Sequence, residues 1–343
     1  MIGIANPIEH ENWNNLILAL PNYSFFHTSS WADILFKSYD YRPVYLMEDA
    51  GRTLSALLPV MEVNSLLTGK RGVSLPFTDY CEPLTSEPGQ FQALLNFAIN
   101  YGKKHGWKYL ELRGAHAFLE KEEPSVSYLG HTLELTGSDN NVFSNLRDST
   151  KRNIKKAEKG NVKIEITNSP QAMNEFYRLN SLTRREHGLP PQPHHFFKNI
   201  YDQIIAKHAG FISLATYANT AVAGNVYFLF GEKVIYKYGA SDRAYQHLRA
   251  NNLVMWEAIK WCCERGYKNL CFGRTETDND GLKQFKSGWG TKEHIINYYK
   301  YDFSKDSFIK DSPKISDFQH KVFNKLPIPV LNALGSLLYR HMG

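Results

Sequence analysis

Hydrophobic positions along the chain change their spacing several times, and each spacing predicts one type of secondary structure. Alternating apolar runs at 42–47 and 53–63 flank a polar turn, which is typical of a β-hairpin. Residues 88–105 instead place apolar side chains on one helical face, and Gly106 ends that helix. A short apolar run at 107–112 then predicts a buried strand.

The second half of the chain repeats this order of elements. It contains a hairpin at 211–230, a strand at 233–240 and a helix at 251–264. The next residues, 265–270, read Arg-Gly-Tyr-Lys-Asn-Leu and match His-Gly-Trp-Lys-Tyr-Leu at 105–110. Chance could give one such match more easily than the whole order, so we predict two copies of one α/β unit.

The repeat also predicts the domain organisation. We place an N-terminal domain at 1–145, a C-terminal domain at 146–302 and a tail at 303–343 that carries an amphipathic helix. The predicted fold class is α/β (α+β), with two tandem domains that each contain a mixed, mostly antiparallel sheet flanked by helices.

A basic helix is predicted at 147–160, between the two copies. Ser149 or Thr150 can cap this helix, and Gly160 ends it. Basic residues recur at every fourth position, so they line one face. They are Arg147, Lys151, Lys155 and Lys159. This face is either a solvated connector or an anion-binding surface, because stacked like charges cost stability unless a negative group offsets them.

One lysine near the end of the second copy is the main candidate for chemistry. A short apolar strand, 269–272, leads into Gly273-Arg274-Thr275 and an acidic turn. A short helix carrying Phe285 and Lys286 follows and ends at a glycine. This order of elements holds Lys286 at the carboxyl end of a sheet, where α/β proteins bind ligands. The alternatives are a surface lysine and a core phenylalanine.

The composition fits a folded protein with an anionic partner. The chain has 343 residues, 43% of them hydrophobic and 22% charged, which is enough for two domains with cores of their own. A formal net charge of +6 favours a nucleotide, tRNA, a phosphorylated lipid or a membrane surface as partner.

Neither a metal site nor a secreted protein is indicated. The four cysteines lack ligand spacing, and the adjacent His194 and His195 point apart without a carboxylate partner at helical spacing. Residues 1–15 do not resemble a signal peptide, and no apolar run is long enough to span a bilayer. We therefore expect reduced thiols, a cytoplasmic location and no metal or redox cofactor.

The order of elements in both halves resembles that of the GNAT acyltransferase superfamily. Within it, the chain is similar to the Fem family of peptidoglycan interpeptide-bridge aminoacyltransferases, especially FemAB-like relatives in Gram-negative cell-envelope clusters. The resemblance covers roughly residues 20–302. It is strongest in three motifs, namely Gly-Leu-x-x-Phe-Lys-x-x-Trp-Gly at 281–290, Lys-Arg-Asn-Ile-Lys-Lys-Ala at 151–157 and Trp-Glu-Ala-Ile at 256–259 preceded by Arg-Ala-Asn at 249–251.

The resemblance implies catalytic roles for two residues. Lys286 corresponds to a family lysine placed against the ester of the acyl donor, where an ammonium can stabilise the developing oxyanion. The loop at 71–80 is similar to the family's acceptor loop, and Asp79 would approach the acceptor amine there. Glu82 is the alternative carboxylate, and a turn-forming role for Asp79 remains open.

The resemblance also implies substrate contacts. Family enzymes grip phosphate with an arginine in the region of Arg184 and Arg185, of which Arg185 is preferred here. Either Tyr236 or Tyr238 would face the pocket, and Tyr238 beside Gly239 is the better candidate. The remaining predicted substrate-binding residues are Lys151, Arg152, Arg249, Arg274 and Phe285. The structural alternatives are an exposed helix end for Arg184 and Arg185, the hydrophobic core for the two tyrosines and Phe285, and a solvated helix face for Lys151 and Arg152.

The donor is left open by the stretch before the second long helix. CoA-dependent GNAT enzymes carry glycines there, so that backbone N–H groups approach the pyrophosphate. This chain has Arg249 and Asn251 at the two positions. These side chains disfavour CoA without excluding it, because Arg249 could itself bind phosphate.

We therefore expect an N-acyltransferase that uses aminoacyl-tRNA or acyl-CoA. The acceptor would be an amine on a phosphorylated or lipid-linked precursor of peptidoglycan or polysaccharide, and DNA is not expected as a partner. The alternatives are a CoA- or carrier-protein-dependent N-acyltransferase acting on a sugar amine or amino acid, and a non-catalytic module that binds anionic glycan or lipid. The amphipathic segment 321–342 suits either peripheral contact with the inner face of the membrane or packing against the protein itself.

Overall fold

The computed structural model describes residues 1–49, 54–85, 87–135, 137–310 and 323–343. The predicted turn after Asp49 and the predicted tail residue Lys321 lie outside these ranges. The strands are β1 Ile2–Ala5, β2 Arg42–Pro43, β3 Tyr45–Asp49, β4 Leu54–Leu58, β5 Met61–Ser65, β6 Gly69–Val73, β7 Tyr109–Arg113, β8 Val126–Glu134, β9 Lys163–Thr167, β10 Gly210–Tyr217, β11 Thr220–Phe230, β12 Lys233–Ser241, β13 Asn269–Glu276, β14 Lys292–Asp302 and β15 Ser307–Ile309. The α-helices are α1 Trp13–Leu18, α2 Ser29–Tyr39, α3 Pro88–His105, α4 Asp139–Ser144, α5 Asp148–Lys159, α6 Pro170–Glu186, α7 His194–Ile200, α8 Ala250–Glu264, α9 Asp280–Ser287 and α10 Ile328–Leu338.

The described residues form two compact units. Unit 1 contains residues 1–129, 295–310 and 338–343, and unit 2 contains residues 130–294 and 323–337. These limits differ from the predicted domains. Residues 298–302 of β14 pair with β7 and so belong with unit 1. Residues 130–145 belong with unit 2, because Leu133, Leu135 and Val142 are buried in its core.

Unit 1 contains two sheets with helix α3 packed against them. One sheet has the order β1-β3-β4, and the strands of the other are arranged β2-β5-β6-β7-β14. The pairing is antiparallel except between β6 and β7, which run parallel. The apolar face of α3 is buried as the sequence predicts, and its buried residues include Phe91, Leu94, Leu95 and Ala98.

Unit 2 contains a sheet with the order β8-β13-β12-β11-β10-β9. Strands β9 to β12 pair antiparallel, and β12 pairs parallel with β13. Helices α6 and α8 both pack against this sheet, and α5 packs against α8. Fully buried Trp289 and buried Phe272 belong to the core between these elements.

The two units repeat the same corner between a long helix and a parallel strand. Helix α3 ends at Gly106 with φ 69°, and α8 is followed by Gly266 with φ 75°, a conformation that costs glycine little. The next N–H group then donates back to the helix in each unit, and the following strand pairs parallel with its neighbour. The Trp107 N–H donates to the Gly102 carbonyl in unit 1, and the Tyr267 N–H donates to the Cys262 carbonyl in unit 2. The predicted fold class, two tandem and mostly antiparallel α/β units, is therefore confirmed.

The tail helix α10 packs partly against unit 2. Leu331 is fully buried, and a side chain at Gly335 would collide with the carbonyl group of Pro191. Val330 and Leu337 remain exposed. Within the described ranges, every helix is too short or too polar to cross a bilayer.

Candidate functional site

An opening in the sheet of unit 2 provides the framework for the site. Strands β12 and β13 pair only where Lys233–Ile235 lies beside Asn269–Cys271. Beyond this point β12 continues along β11 as far as Ser241, and β13 continues to Glu276. The carboxyl ends of two neighbouring parallel strands thus separate, which is where open α/β sheets bind ligands.

Helix α9 positions Lys286 at this opening. The helix begins where Asn279 Oδ1 accepts a hydrogen bond from the Leu282 N–H at 3.0 Å, and Lys286 lies in its last turn. The Lys286 side chain is buried, and its Nζ donates to the carbonyl oxygens of Gly273 at 3.2 Å and Arg274 at 2.7 Å. Since a buried ammonium needs such partners, the end of β13 fixes the position of this charge.

The backbone of β13 is turned to receive that ammonium. Gly273 has a φ of 69°, in the left-handed region that residues with a β-carbon rarely adopt. The structure thus gives the predicted Gly-Arg-Thr segment a specific function. The carbonyl groups of Gly273 and Arg274 bind Lys286, so Arg274 contributes through its backbone.

Two buried polar side chains near this lysine were not singled out from the sequence. His131 and Thr275 are both fully buried. Among the described residues, neither the imidazole nitrogens of His131 nor the Thr275 hydroxyl has a hydrogen-bond partner. Burial lowers the pKa of His131, and the positive charge of Lys286 lowers it further, so the imidazole is neutral at pH 7.

The strand pairing explains why His131 lies near Lys286. The Leu135 N–H donates to the Lys268 carbonyl at 2.8 Å, at the end of β8 and the start of β13. Because this contact joins the end of β8 to the start of β13, the two neighbouring strands can lie side by side only if they run antiparallel. Counting back from the contact places His131 at about the level of Phe272. Nothing in the local sequence marks this histidine, because its surroundings arise from pairing between distant segments.

Beside the opening lies a first cavity of about 350 Å³, called here the helix-start cavity. Its lining includes Ser149 and Thr150 from the first turn of α5, and Asn251 from the first turn of α8. The guanidinium-bearing residues Arg147 and Arg249 also line it. Two helix N-termini and two arginines thus face one cavity, an arrangement that favours an anionic ligand.

Arg249 occupies the position of a glycine in CoA-dependent GNAT enzymes and also has a backbone conformation that is typical of glycine. Its φ is 58°, and it directly precedes α8. A residue with a β-carbon costs about 1 kcal/mol or more in this conformation. The chain accepts this strain and gains a guanidinium at the rim of the cavity, next to Gln246.

The basic face of α5 is only partly directed at the cavity. Arg147 donates to the Gln284 carbonyl at 3.3 Å and to the Ser287 hydroxyl at 3.1 Å, which ties α5 to α9. Lys151 instead donates to the Ser144 carbonyl at 2.8 Å. The described residues that line the helix-start cavity do not include Lys151 or the exposed Arg152. The substrate contacts predicted for these two residues therefore remain predictions.

A second cavity of about 280 Å³, the strand cavity, adjoins the first. Both are lined by Ser241, Asn251 and Phe285. Phe285 also packs edge-on against Trp289, with ring centroids 6.1 Å apart. The residue next to Lys286 therefore contributes both to the core and to two cavities.

A β-bulge in β12 decides which tyrosine faces the strand cavity. Val226 pairs with Tyr238 and Tyr227 pairs with Tyr236, so Lys237 has no partner on β11. The bulge places Tyr236 in the cavity lining. This corrects the preference for Tyr238, whose ring packs against the core rings of Phe197 at 5.3 Å and Phe228 at 6.5 Å.

The C-terminal end of α6 contributes other residues than the arginines that the sequence suggested. Thr183 and His187 line the strand cavity. Arg184 donates to the Pro190 carbonyl at 3.5 Å, and Arg185 is half-buried in the last turn of the helix. In the described part of the chain neither arginine lines either of these cavities, so phosphate binding by Arg184 and Arg185 stays a prediction.

The two predicted acceptor carboxylates lie in unit 1. Tyr298 donates its hydroxyl to the Asp79 carbonyl oxygen at 2.6 Å, which pins the loop. The Glu82 carboxylate accepts the Ala115 N–H at 2.6 Å, and burial raises its pKa. Glu82 is thus engaged in holding a turn, which leaves Asp79 as the preferred candidate.

The described residues contain no group of histidine, cysteine, aspartate and glutamate side chains that could hold a metal ion.

Comparison with known proteins agrees with this architecture. Residues 144–287 match the family described as the acetyltransferase (GNAT) domain. Lipid II:glycine glycyltransferase from Staphylococcus haemolyticus (strain JCSC1435) is 32% identical over 143 residues, which cover 38% of this chain. The match spans only 31% of that relative's own length.

Solved structures show the same fold over most of the chain. A crystal structure of FemX superposes with a TM-score of 0.71 at 13% identity, covering 88% of this chain and 97% of FemX. L-PGS from Bacillus licheniformis gives 0.56 at 12% identity, with coverage of 92% and 96%. A tandem GNAT protein from the clavulanic acid biosynthesis pathway gives 0.56 at 9% identity, with coverage of 92% and 99%.

The fold over most of the chain is thus that of tandem GNAT proteins, and residues 144–287 match the GNAT domain. Within that fold class the chain is similar to FemX in structure and, over 143 residues, to Lipid II:glycine glycyltransferase in sequence.

Proposed function

We propose that the protein is an N-acyltransferase that moves an aminoacyl group from charged tRNA to an amine of a lipid-linked cell-wall precursor. The observation that carries this proposal is the buried ammonium of Lys286, held by two carbonyl oxygens at the opening between β12 and β13. A fixed positive charge at the carboxyl end of a sheet is suited to stabilise an oxyanion.

The proposed reaction requires a positive charge that stabilises the oxyanion and a group that accepts a proton. The acceptor amine attacks the ester carbonyl, and a C–N bond forms while negative charge develops on the carbonyl oxygen. Lys286 stabilises this charge, the C–O bond of the ester breaks, and the ribose hydroxyl leaves with a proton. Asp79 is our candidate for the group that receives the proton from the attacking amine.

The helix-start cavity supports an anionic donor. Arg147, Arg249 and the N-termini of α5 and α8 would bind phosphate groups. At Arg249 a side chain occupies the place where CoA-dependent relatives bring bare backbone to the pyrophosphate. This favours tRNA over CoA as the donor.

The acceptor follows from the relative whose name states its substrate. Lipid II:glycine glycyltransferase is named for transfer of glycine to lipid II. By that likeness we propose a lipid-linked peptidoglycan precursor as the acceptor. The exposed Val330 and Leu337 of α10, with the exposed Lys325 before them, would support contact with the membrane that holds such a precursor.

The proposal is tested by giving the full chain charged tRNA and acyl-CoA in separate reactions, each with a lipid-linked muropeptide as acceptor. We expect deacylation of tRNA that depends on the acceptor, together with an acceptor product heavier by one aminoacyl residue. Release of free CoA with unchanged tRNA would overturn the choice of donor and favour the CoA-dependent alternative. If neither donor is consumed and Lys286→Ala binds the muropeptide as the wild type does, the non-catalytic alternative holds.

A further inference from the structure

The strand cavity has a polar floor for which the proposed reaction assigns no use. Asn225 is 3% exposed, and its Nδ2 donates to the Tyr227 hydroxyl at 3.1 Å. That hydroxyl donates in turn to Met255 Sδ at 3.2 Å. Because a thioether has no proton, the tyrosine must donate to it, and the asparagine must then donate to the tyrosine. This chain of donors directs Asn225 Oδ1 away from the core.

The Asn225 oxygen has no hydrogen-bond partner among the described residues, and it borders the strand cavity. A β-carbon built on Gly239 would lie 3.2 Å from this oxygen and would collide with the Tyr236 hydroxyl. The bare α-carbon of Gly239 therefore makes room for the Tyr236 hydroxyl, which lies beside the Asn225 oxygen as a second oxygen atom. Burial raises the pKa of Tyr236, so its hydroxyl stays protonated and can both accept and donate.

The lining of the strand cavity is polar and carries few ionisable side chains. Of the described residues around this cavity, His187 is the only titratable one other than Tyr236, and there is no carboxylate, lysine or arginine. The remaining walls are small or apolar, including Ala240, Leu282 and Phe285. Such a cavity suits a small group with N–H donors.

We infer that the strand cavity binds the amino group of the donor's aminoacyl moiety, with Asn225 Oδ1 and the Tyr236 hydroxyl as acceptors. This inference rests on the proposed function and adds a determinant of specificity to it. The two cavities share Ser241, Asn251 and Phe285, so one donor can place its phosphate in the helix-start cavity and its aminoacyl group in the strand cavity. An acyl group without an amine leaves the oxygen of this largely buried asparagine unpaired, and the site discriminates against it.

The test uses two small esters of equal shape, glycine methyl ester and methyl propionate, which differ only in an amine against a methyl group. Their affinities for the full-length chain are measured by ligand-observed NMR. We expect the wild type to bind glycine methyl ester about 10-fold or more tightly than methyl propionate. Equal affinities would overturn the inference.

Two variants locate the effect. Asn225→Leu keeps the size of the side chain and should abolish the preference for the amine. Gly239→Ala forces the Tyr236 hydroxyl, one of the two acceptors, out of its position, so it should reduce the preference for glycine methyl ester about 10-fold. Asn96→Leu, an exposed substitution on α3, is the matched control and should keep the wild-type preference.

Each outcome decides between the claims. If Asn225→Leu fails to fold, as judged by circular dichroism, Gly239→Ala decides alone, and an unchanged preference in that variant rejects the inference. Transfer from charged tRNA without any preference for the amine ester would reject this inference and leave the proposed function standing. Preferential binding of glycine methyl ester without transfer from tRNA or CoA would reject the proposed function instead.

Discussion

Tyr236 and Gly239 lie on the same face of β12 although three positions separate them, because Lys237 has no partner on β11. In a regular strand, residues an even number of positions apart share a face, so Tyr236 would have faced the same way as Tyr238. The bulge instead pairs Tyr236 with Tyr227 and Gly239 with Asn225. It thereby builds the polar floor of the strand cavity.

Removal of the Lys286 ammonium should slow the chemical step. Lys286→Ala removes the charge that stabilises the oxyanion, and we expect kcat to fall about 100-fold or more with a smaller change in KM. Steady-state kinetics with charged tRNA measure both values. Lys283→Ala on the same helix is the control, since that lysine is half-exposed and lies 3.8 Å from Glu293. Equal losses in the two variants would contradict a specific role for Lys286.

Arg249 should affect stability and anion binding in opposite directions. Arg249→Gly relieves the left-handed backbone conformation and should raise the free energy of unfolding by about 1 kcal/mol. The same change removes a guanidinium from the helix-start cavity and should weaken tRNA binding about 5-fold, with a smaller dependence on salt. Chemical denaturation and filter binding measure the two effects. Arg265→Ala, at the exposed C-terminal end of the same helix, is the control for Arg249→Ala, and similar losses of tRNA binding in the two variants would refute the assignment.

The buried His131 predicts a dependence of stability on pH. Its pKa is lowered in the folded state, so below its ordinary value of 6.5 the unfolded chain binds a proton that the folded chain does not. The free energy of unfolding should therefore fall as pH drops through 6.5 towards the lowered pKa. The charged and titratable groups that act on this imidazole are Lys286, Glu293, His294 and Lys283.

His131→Phe should reduce that slope of stability against pH, as measured by urea denaturation between about pH 7 and pH 5. A residual slope of the same sign is expected because burial also lowers the pKa of His294. His10→Gln, which removes an exposed histidine, is the control. An unchanged slope in His131→Phe would show that this imidazole does not carry the effect.

The repeated glycine corners should be sensitive to any β-carbon. Gly106→Ala meets no neighbouring atom within 4 Å, so its cost comes from the positive φ alone, at about 1 kcal/mol or more. Gly266→Ala should behave in the same way for the same reason. Gly89→Ala, in the first turn of α3 with open space around it, should be neutral or stabilising. Thermal unfolding compares the three variants, and equal midpoints would contradict the conformational argument.

The tail helix should take part in membrane contact if the acceptor is lipid-linked. Val330→Asp and Leu337→Asp place charges on the exposed side of α10, where Leu337 is 68% exposed, and should reduce binding to vesicles with an anionic lipid. Co-sedimentation measures the bound fraction. Ile4→Asp changes a similarly exposed apolar residue in unit 1 and should have no effect. Wild-type protein that stays in the supernatant would contradict the membrane proposal.

Local patterns predicted most of the secondary structure and the position of Lys286. Apolar periodicity located α3 and α8, and glycines marked their ends, because both signals depend on near neighbours in the chain. The bulge at Lys237 could not be predicted, since it is defined only by the partner strand. The burial of His131 and the return of residues 298–302 to unit 1 also depend on pairing between distant segments.

The route of the chain through the two units has a consequence for synthesis on the ribosome. Strand β7 of unit 1 can pair with β14 only after residues Tyr298–Asp302 have been synthesised. The six strands β8 to β13 of unit 2 are all present in the nascent polypeptide once residue 276 has left the exit tunnel. These strands can therefore pair with one another before β7 of unit 1 can pair with β14.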